Sequence, residues 1–377
     1  MTTAGTFHGL LRHRLLWPVV VLLLLVAGNL VFTPSFLSIE VRDGHLYGSV
    51  IDILRAATPL ALVALGMTLV IATGGIDLSV GSVVAIAGAV ACSWISGLGD
   101  QNAAGGVLAA MGLALGVALL LGAGNGLLVA VVGIQPIVAT LILMVAGRGV
   151  AQLITNGQII TVNSAPYKTV GAGYWLAVPV SVLLTAAVVV GTLLLTRRTA
   201  LALLIESVGG NPAASRLAGV NARRLTILVY VFAGLCAGLA GLIFSSNVSS
   251  ADGNNAGNLI ELDAILAVVI GGTSLAGGRF SIVGSVVGAL VIKTLDITIY
   301  TIGVPTNTTL LFKAVVVVVL CLAQSPAFRA RLLGRRGRGR APSGTDPGAP
   351  GTEPPEPGPT GPGAGPGAGT RRTEVTA

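Results

Sequence analysis

Long apolar runs alternate with short polar stretches along most of the chain. A helix rises about 1.5 Å per residue, so roughly 20 apolar residues bridge the ~30 Å hydrocarbon core of a bilayer. On that measure the runs predict spans at about 15–32, 53–73, 78–97, 107–123, 126–147, 174–196, 225–245, 262–277, 281–300 and 308–324. The fold expected is all-α: a polytopic membrane protein of about ten transmembrane helices. Residues 1–14 form an N-terminal segment and 15–325 the membrane domain. Within it, 197–224 is amphipathic and too polar to span. Beyond Pro326 the chain is rich in Arg, Pro and Gly, so 326–377 cannot bury enough apolar surface to fold and is expected to be disordered.

Composition supports the membrane setting. The chain is 53% hydrophobic and 10% charged, whereas soluble domains carry roughly 25% charged residues. Its 53 glycines suit close helix approach in lipid. The net charge of +8 does not point to nucleic acid, because eight of the 22 basic residues are arginines in 326–377 and only 4% of residues are aromatic. Cys92, Cys236 and Cys321 lie inside apolar runs without metal-ligand or disulfide spacing, and read as packing residues. Arg12, Arg14 and the histidines His8 and His13 precede the first run; with no small-residue cleavage site after it, a retained first helix is expected.

Positive residues favour the cytoplasmic side. The N-terminal cluster, Arg197/Arg198, Arg223/Arg224, Arg279 and the cluster 329–340 all fall on one side if the chain starts inside and crosses ten times, which places both termini in the cytoplasm. Arg55, Arg148 and Lys168 then lie outside. The pentapeptide V-G-S-V-V occurs at 80–84 and again at 283–287, each copy after G-G-x-x-L, and the two copies run in the same direction in this scheme.

Several segments carry chemistry. In 205–224, Gly209-Gly210 predict a sharp turn, Asn211 a helix cap, Pro212 a first helical position, and Gly219 the end of a short helix over 212–218. Asp77, in G-G-I-D-L-S, is either a cap at a cytoplasmic turn with Ser79 nearby or a pathway residue where a helix breaks inside the membrane. Asn125, Gln135 and Thr140, on or near the fifth span, could form a weakly polar conduit. Asp252, Asn254 and Asn255 lie outside and could hydrogen-bond a sugar or a partner, or simply form a polar loop. Glu261 and Asp263 suit a helix N-terminus. Lys293 and Asp296, spaced i, i+3, can neutralise each other within a span. No G-x-x-x-x-G-K-[ST] occurs and none of the three lysines follows a glycine, so no P-loop is present.

The stretches 64–82 (A-L-G-M-T-L-V-I-A-T-G-G-I-D-L-S-V-G-S), 209–220 (G-G-N-P-A-A-S-R-L-A-G-V) and 267–280 (A-V-V-I-G-G-T-S-L-A-G-G-R-F) resemble the permeases of ribose/xylose/arabinose-type ABC sugar importers. The resemblance covers about 15–325. Within that group the likeness is greatest to galactofuranose importer permeases, carried by 138–155, 251–257 and 261–272. It implies a non-catalytic subunit in a bacterial plasma membrane, without a cofactor of its own. ATP and Mg would reside on separate ATPase subunits, an extracytoplasmic binding protein would deliver the sugar, and a second permease subunit, identical or not, would complete the path. The segment 197–224 would then couple to the ATPase through Glu206, Gly209, Gly210, Asn211, Pro212, Arg216 and Gly219. Two other classes compete. An ion-driven secondary sugar transporter would use Lys293/Asp296 and Asp77, whereas a membrane enzyme lacks any visible nucleophile–base set.

Overall fold

The computed structural model describes residues 16–324 apart from 33, 39, 43, 304, 306 and 307. The N-terminal cluster and the 326–377 tail lie outside the described residues. Thirteen helices follow one another: α1 (Leu16–Phe32), α2 (Ser49–Ala72), α3 (Val80–Ser96), α4 (Ala104–Leu127), α5 (Pro136–Ile154), α6 (Ala165–Ala172), α7 (Val180–Arg198), α8 (Leu201–Gly210), α9 (Pro212–Leu217), α10 (Ala222–Val248), α11 (Ile260–Ile270), α12 (Ile282–Thr301) and α13 (Thr309–Gln324). Among the described residues six are long and apolar enough to cross a membrane: α2, α4 with its extension to Val132, α5, α7, α10 and α12. The chain is therefore mostly helical, with the polytopic character that its hydropathy requires.

α2 and α10 form the centre. α2 is buried over almost all of Ala57–Ala72, and α10 presents a run of small residues, Ala233, Gly234, Cys236, Ala237, Gly238, Ala240 and Gly241. Lipid offers no hydrophobic drive between helices, so their association rests on close packing, which small residues permit. Around this pair, α3, α11 and α12 contribute Val80, Val84, Ala264, Ala267, Ala289 and Ile292 to one apolar core. The two copies of V-G-S-V-V both open helices, α3 and α12, directly after Ser79 and just after Ser281.

Several boundaries differ from the hydropathy reading. The run 126–147 is not one span. Its first residues finish α4 and continue as a π-helical turn, Leu128–Val132, before Gly133 takes φ +84° and α5 starts at Pro136. An unbroken apolar run hides such a break, since only Gly133 and Pro136 mark it. The predicted sixth span begins late, at Val180, because Tyr174–Trp175 and Val178–Pro179 form a small hairpin. The eighth is only 11 residues long, about 16 Å.

Strands occur in the connections, so the fold is not purely helical. β1 (Glu40–Arg42) pairs with β2 (His45–Tyr47), β3 (Ile159–Thr161) with β6 (Ser250–Asp252), and β4 (Tyr174–Trp175) with β5 (Val178–Pro179), all antiparallel. Leu46 N donates to Ala177 O at 3.1 Å and His45 stacks on Tyr174 at 4.7 Å. Gln101 Oε1 accepts from Asn163 N at 2.7 Å. These bonds gather the connections at one end of the bundle. The other end collects 73–79, 128–135, 199–221 and 271–281.

Candidate functional site

At the strand-free end, α8 folds back from α7 and buries Ile205 and Val208. Gly209 and Gly210 do not make the predicted turn. They complete α8, and the chain turns at Asn211 instead, where φ is −157°. The physical reason for glycine at 209 is space, because a Cβ there would lie 1.8 Å from Ala72 O and 2.6 Å from Gly278 N. Asn211 Oδ1 then accepts from Ala214 N at 3.0 Å, capping α9 with Pro212 in its first turn, and Gly219 at φ +84° ends the segment. Asn221 Oδ1 accepts from Arg224 N at 3.1 Å and starts α10. Of α9 only Ser215 is buried; Leu217 is 93% exposed. Arg216 is exposed and Glu206 half-buried.

Behind α9 lies a pocket of about 130 Å³, lined among others by Gly74, Gly75, Pro136, Pro212, Arg216 and Tyr230. It separates α9 from the α2–α3 connection and the α4–α5 turn. The Tyr230 hydroxyl is buried here without a hydrogen-bond partner among the described residues.

Next to this pocket the structure joins three of the sequence-predicted residues. Asp77 Oδ1 accepts from Ser79 N at 2.9 Å and from Ser79 Oγ at 2.6 Å. Asn125 Nδ2 donates to Ser79 Oγ at 2.8 Å, and Leu78 N donates to Thr140 Oγ1 at 3.1 Å. Asp77, Ser79, Asn125 and Thr140 are all buried. Burial pushes the Asp77 carboxyl above its usual range while the two Ser79 bonds pull it back. Asn125 belongs to the end of α4, not to the fifth span. Gln135, exposed at the start of α5, makes no side-chain hydrogen bond among the described residues. The sequence places Ser79 only beside Asp77 at a turn; that it also accepts from Asn125 depends on α3 and α4 packing together.

Asp252, Asn254 and Asn255 sit at the other end. Asp252 Oδ1 accepts from the amides of Asn254 (2.8 Å) and Asn255 (3.2 Å), and Oδ2 from Asn255 Nδ2 at 2.8 Å. Burial opposes its ionisation, but these bonds and the nearby Arg148 hold the carboxyl below its usual range. From there 253–259 descends beside α5 and α3 as irregular backbone. Arg148 Nη1 donates to Ala256 O at 2.5 Å, six residues before the end of α5, about 9 Å below it. Irregular backbone at such depth is tolerated only against protein or water. Leu259 closes the descent at φ +61°, a strained conformation for a branched residue. Glu261 follows, buried, with Oε2 lacking a hydrogen-bond partner among the described residues; a Cβ on Gly81 would lie 2.3 Å from that oxygen. Glu261 does lie in the first turn of α11, yet it is a deep, poorly satisfied acid facing Arg148, which only the descent of 253–259 could reveal.

Lys293 and Asp296 pair at 3.0 Å, as their spacing predicts, but the pair is part of a larger group. Lys313 reaches Asp296 at 3.0 Å and Asp263 at 2.8 Å. Two lysines and two aspartates thus tie α11, α12 and α13. Among the described residues no cluster of three or more His, Cys, Asp or Glu could hold a metal ion.

A family described as "Branched-chain amino acid transport system / permease component" matches residues 49–321. The galactofuranose transporter permease protein YtfT of Escherichia coli (strain K12) is 50% identical over 334 residues, covering 87% of this chain and 96% of the relative. The fructose import permease protein FruF of Bifidobacterium longum (strain NCC 2705) is 42% identical, with 84% and 89% covered. The ribose import permease protein RbsC of Escherichia coli (strain K12) is 41% identical, with 81% and 92% covered. No solved structure matches.

Proposed function

The chain belongs to the family of branched-chain amino acid transport system permease components, and from the sugar permeases among its relatives we propose that it forms the membrane path of a monosaccharide importer powered by separate ATPase subunits. Galactofuranose is the substrate favoured, on the 50% identity to YtfT over nearly its whole length. ATP and Mg belong to the partner. An extracytoplasmic binding protein delivers sugar, and a second permease subunit completes the path in a bacterial plasma membrane.

Ten crossings fit this role: the six long helices together with α1, α3, α13 and α11 extended by the irregular 253–259. Arg197, Arg198, Arg216, Arg223, Arg224 and Arg279 all gather at the strand-free end, which supports its cytoplasmic placement by the positive-inside rule. Both termini then lie in the cytoplasm.

One observation carries the coupling role. α9 projects from the cytoplasmic end with Leu217 93% exposed, while its base is fixed through Gly209 to the end of α2. An exposed leucine on a helix fixed by the Asn211 cap at its start and the Gly219 stop at its end is what a groove on a partner could grip. Push on α9 reaches the Asp77–Ser79–Asn125–Thr140 cluster across the pocket, where the path would open or close. Asp252, Asn254 and Asn255 would meet the binding protein or the arriving sugar.

The test is sugar-stimulated ATP hydrolysis by the reconstituted complex with its ATPase and binding protein. Leu217→Asp and Arg216→Glu are expected to abolish the stimulation while the chain remains inserted. The four-charge group on α11–α13 favours one rival, ion-driven transport. Sugar uptake by this chain alone under a proton or sodium gradient, with no ATPase, would replace the importer reading.

A further inference from the structure

A crevice of about 480 Å³ opens between α4, α7, α8 and α10, separate from the pocket behind α9. Its walls include Leu195, Ile205, Leu228, Phe232 and Leu235. The two threonines that line it are spent on their own helix, Thr192 Oγ1 donating to Val188 O at 2.8 Å and Thr199 Oγ1 to Leu195 O at 2.6 Å. The interior is therefore apolar throughout. Leu195 and Leu228 are 53% and 62% exposed at its opening.

Its length and its rim specify an occupant. Along α10 the lining runs from Leu225 to Leu235, about 15 Å at 1.5 Å per residue, or one leaflet of the ~30 Å hydrocarbon core. At the strand-free end Arg198 immediately precedes the lining residue Thr199. Arg224 precedes Leu225 and lies one turn from Leu228. Arg197 and Arg223 flank them, and all four are exposed. None of these four arginines forms an ion pair with a carboxylate among the described residues. Guanidinium groups match phosphate oxygens in geometry and charge.

We propose that the crevice holds one acyl chain of an anionic phospholipid whose phosphate sits between Arg198 and Arg224. This rests on the membrane reading alone, not on the transported sugar. The lipid would fill the gap between α8 and the body of the bundle, stiffening the base from which α9 projects.

Full-length protein carrying Leu235→Trp, in lipid nanodiscs of neutral phospholipid, tests it. Brominated phosphatidylglycerol or brominated phosphatidylcholine is added at equal fractions, and quenching is read as the increment over wild type, which has Trp17, Trp94 and Trp175. The anionic lipid is expected to quench at lower mole fraction than the neutral one, and Arg198→Gln and Arg224→Gln should each shrink that preference by about five-fold. Thr192→Phe, which fills the crevice, should abolish the preference. Equal quenching by both lipids would mean ordinary lipid contact and overturn the proposal. So would absent quenching together with a disulfide between copies bearing Leu228→Cys, since a second copy would then cover the crevice. Failure to enter nanodiscs would instead count against the membrane reading itself.

Discussion

Gly209 lies so close to Ala72 that a Cβ on it would sit 1.8 Å from the Ala72 carbonyl oxygen, an oxygen that already accepts from Gly278 N at 2.9 Å. Three separate segments (the end of α2, the end of α8 and the 271–281 connection) meet at this one carbonyl. Gly209→Ala must push α8 away from α2. Overpacking of this kind costs about 1–3 kcal/mol, and sugar-stimulated ATP hydrolysis should fall at least about ten-fold, the equivalent of 1.4 kcal/mol. Gly210→Ala is the control, because a Cβ there meets nothing within 4 Å. Thermal stability and hydrolysis measured on both variants decide the matter; equal effects would mean the junction is not what matters.

Glu261 predicts a different split. An acid with a buried oxygen that has no hydrogen-bond partner among the described residues is costly in a membrane protein and persists where function needs it. Glu261→Gln keeps the shape and removes the charge. Melting temperature is expected to hold or rise, while sugar uptake drops by about ten-fold or more. A fall in both together would assign Glu261 to structure alone.

Lys313 serves two aspartates, so Lys313→Met strands Asp263 and leaves Asp296 with Lys293 only. Removing one partner of a fully buried pair costs about 3–5 kcal/mol, and a smaller loss is expected here because these side chains are 14–18% exposed. Adding Asp263→Asn should recover a large part of it. Denaturation in detergent of the single and double variants checks this, and lack of recovery would show that the four charges are not energetically linked.

Acid should loosen the turn after β6 first. The folded Asp252 carboxyl is held below its ordinary 3.8, so its contribution is present above the unfolded value and is lost as pH falls through the folded one. Hydrogen exchange at the Asn254 and Asn255 amides is expected to accelerate below pH 3.8 beyond its intrinsic rate. In Asp252→Asn that step should vanish.

How much of this was legible in the sequence depends on range. Helix 212–218, its Asn211 cap and the Gly219 stop are local signals, and the structure has them nearly in register. Asp77, Asn125 and Thr140 stand out one by one, yet the meeting of Asp77 and Asn125 at Ser79, with Thr140 on the backbone of 76–78, depends on α3, α4 and α5 converging, which hydropathy does not encode. The break at Gly133 was missed because apolar residues continue on both sides. Gly209 looked like turn chemistry when its cause is a distant carbonyl. Lys293 and Asp296 were paired by spacing, whereas Lys313 and Asp263 come from neighbouring helices that no spacing relates.

The three short ladders at the stranded end have a mechanical consequence. β3 with β6, and Leu46 with Ala177, sew together connections that lie far apart along the chain. Helix tops tied in this way cannot splay independently. The opposite end has no strand pairing among the described residues; there the helices meet through the Gly209 junction and the side-chain bonds of Asp77, Ser79, Asn125 and Thr140. Backbone ladders at one end and side-chain contacts at the other give the bundle a stiffer rim than base, so on the coupling reading a force applied at α9 would turn helices about their stranded ends like the ribs of a fan. The widest displacement then falls at the Asp77 end and the smallest where a delivery protein would need a steady seat.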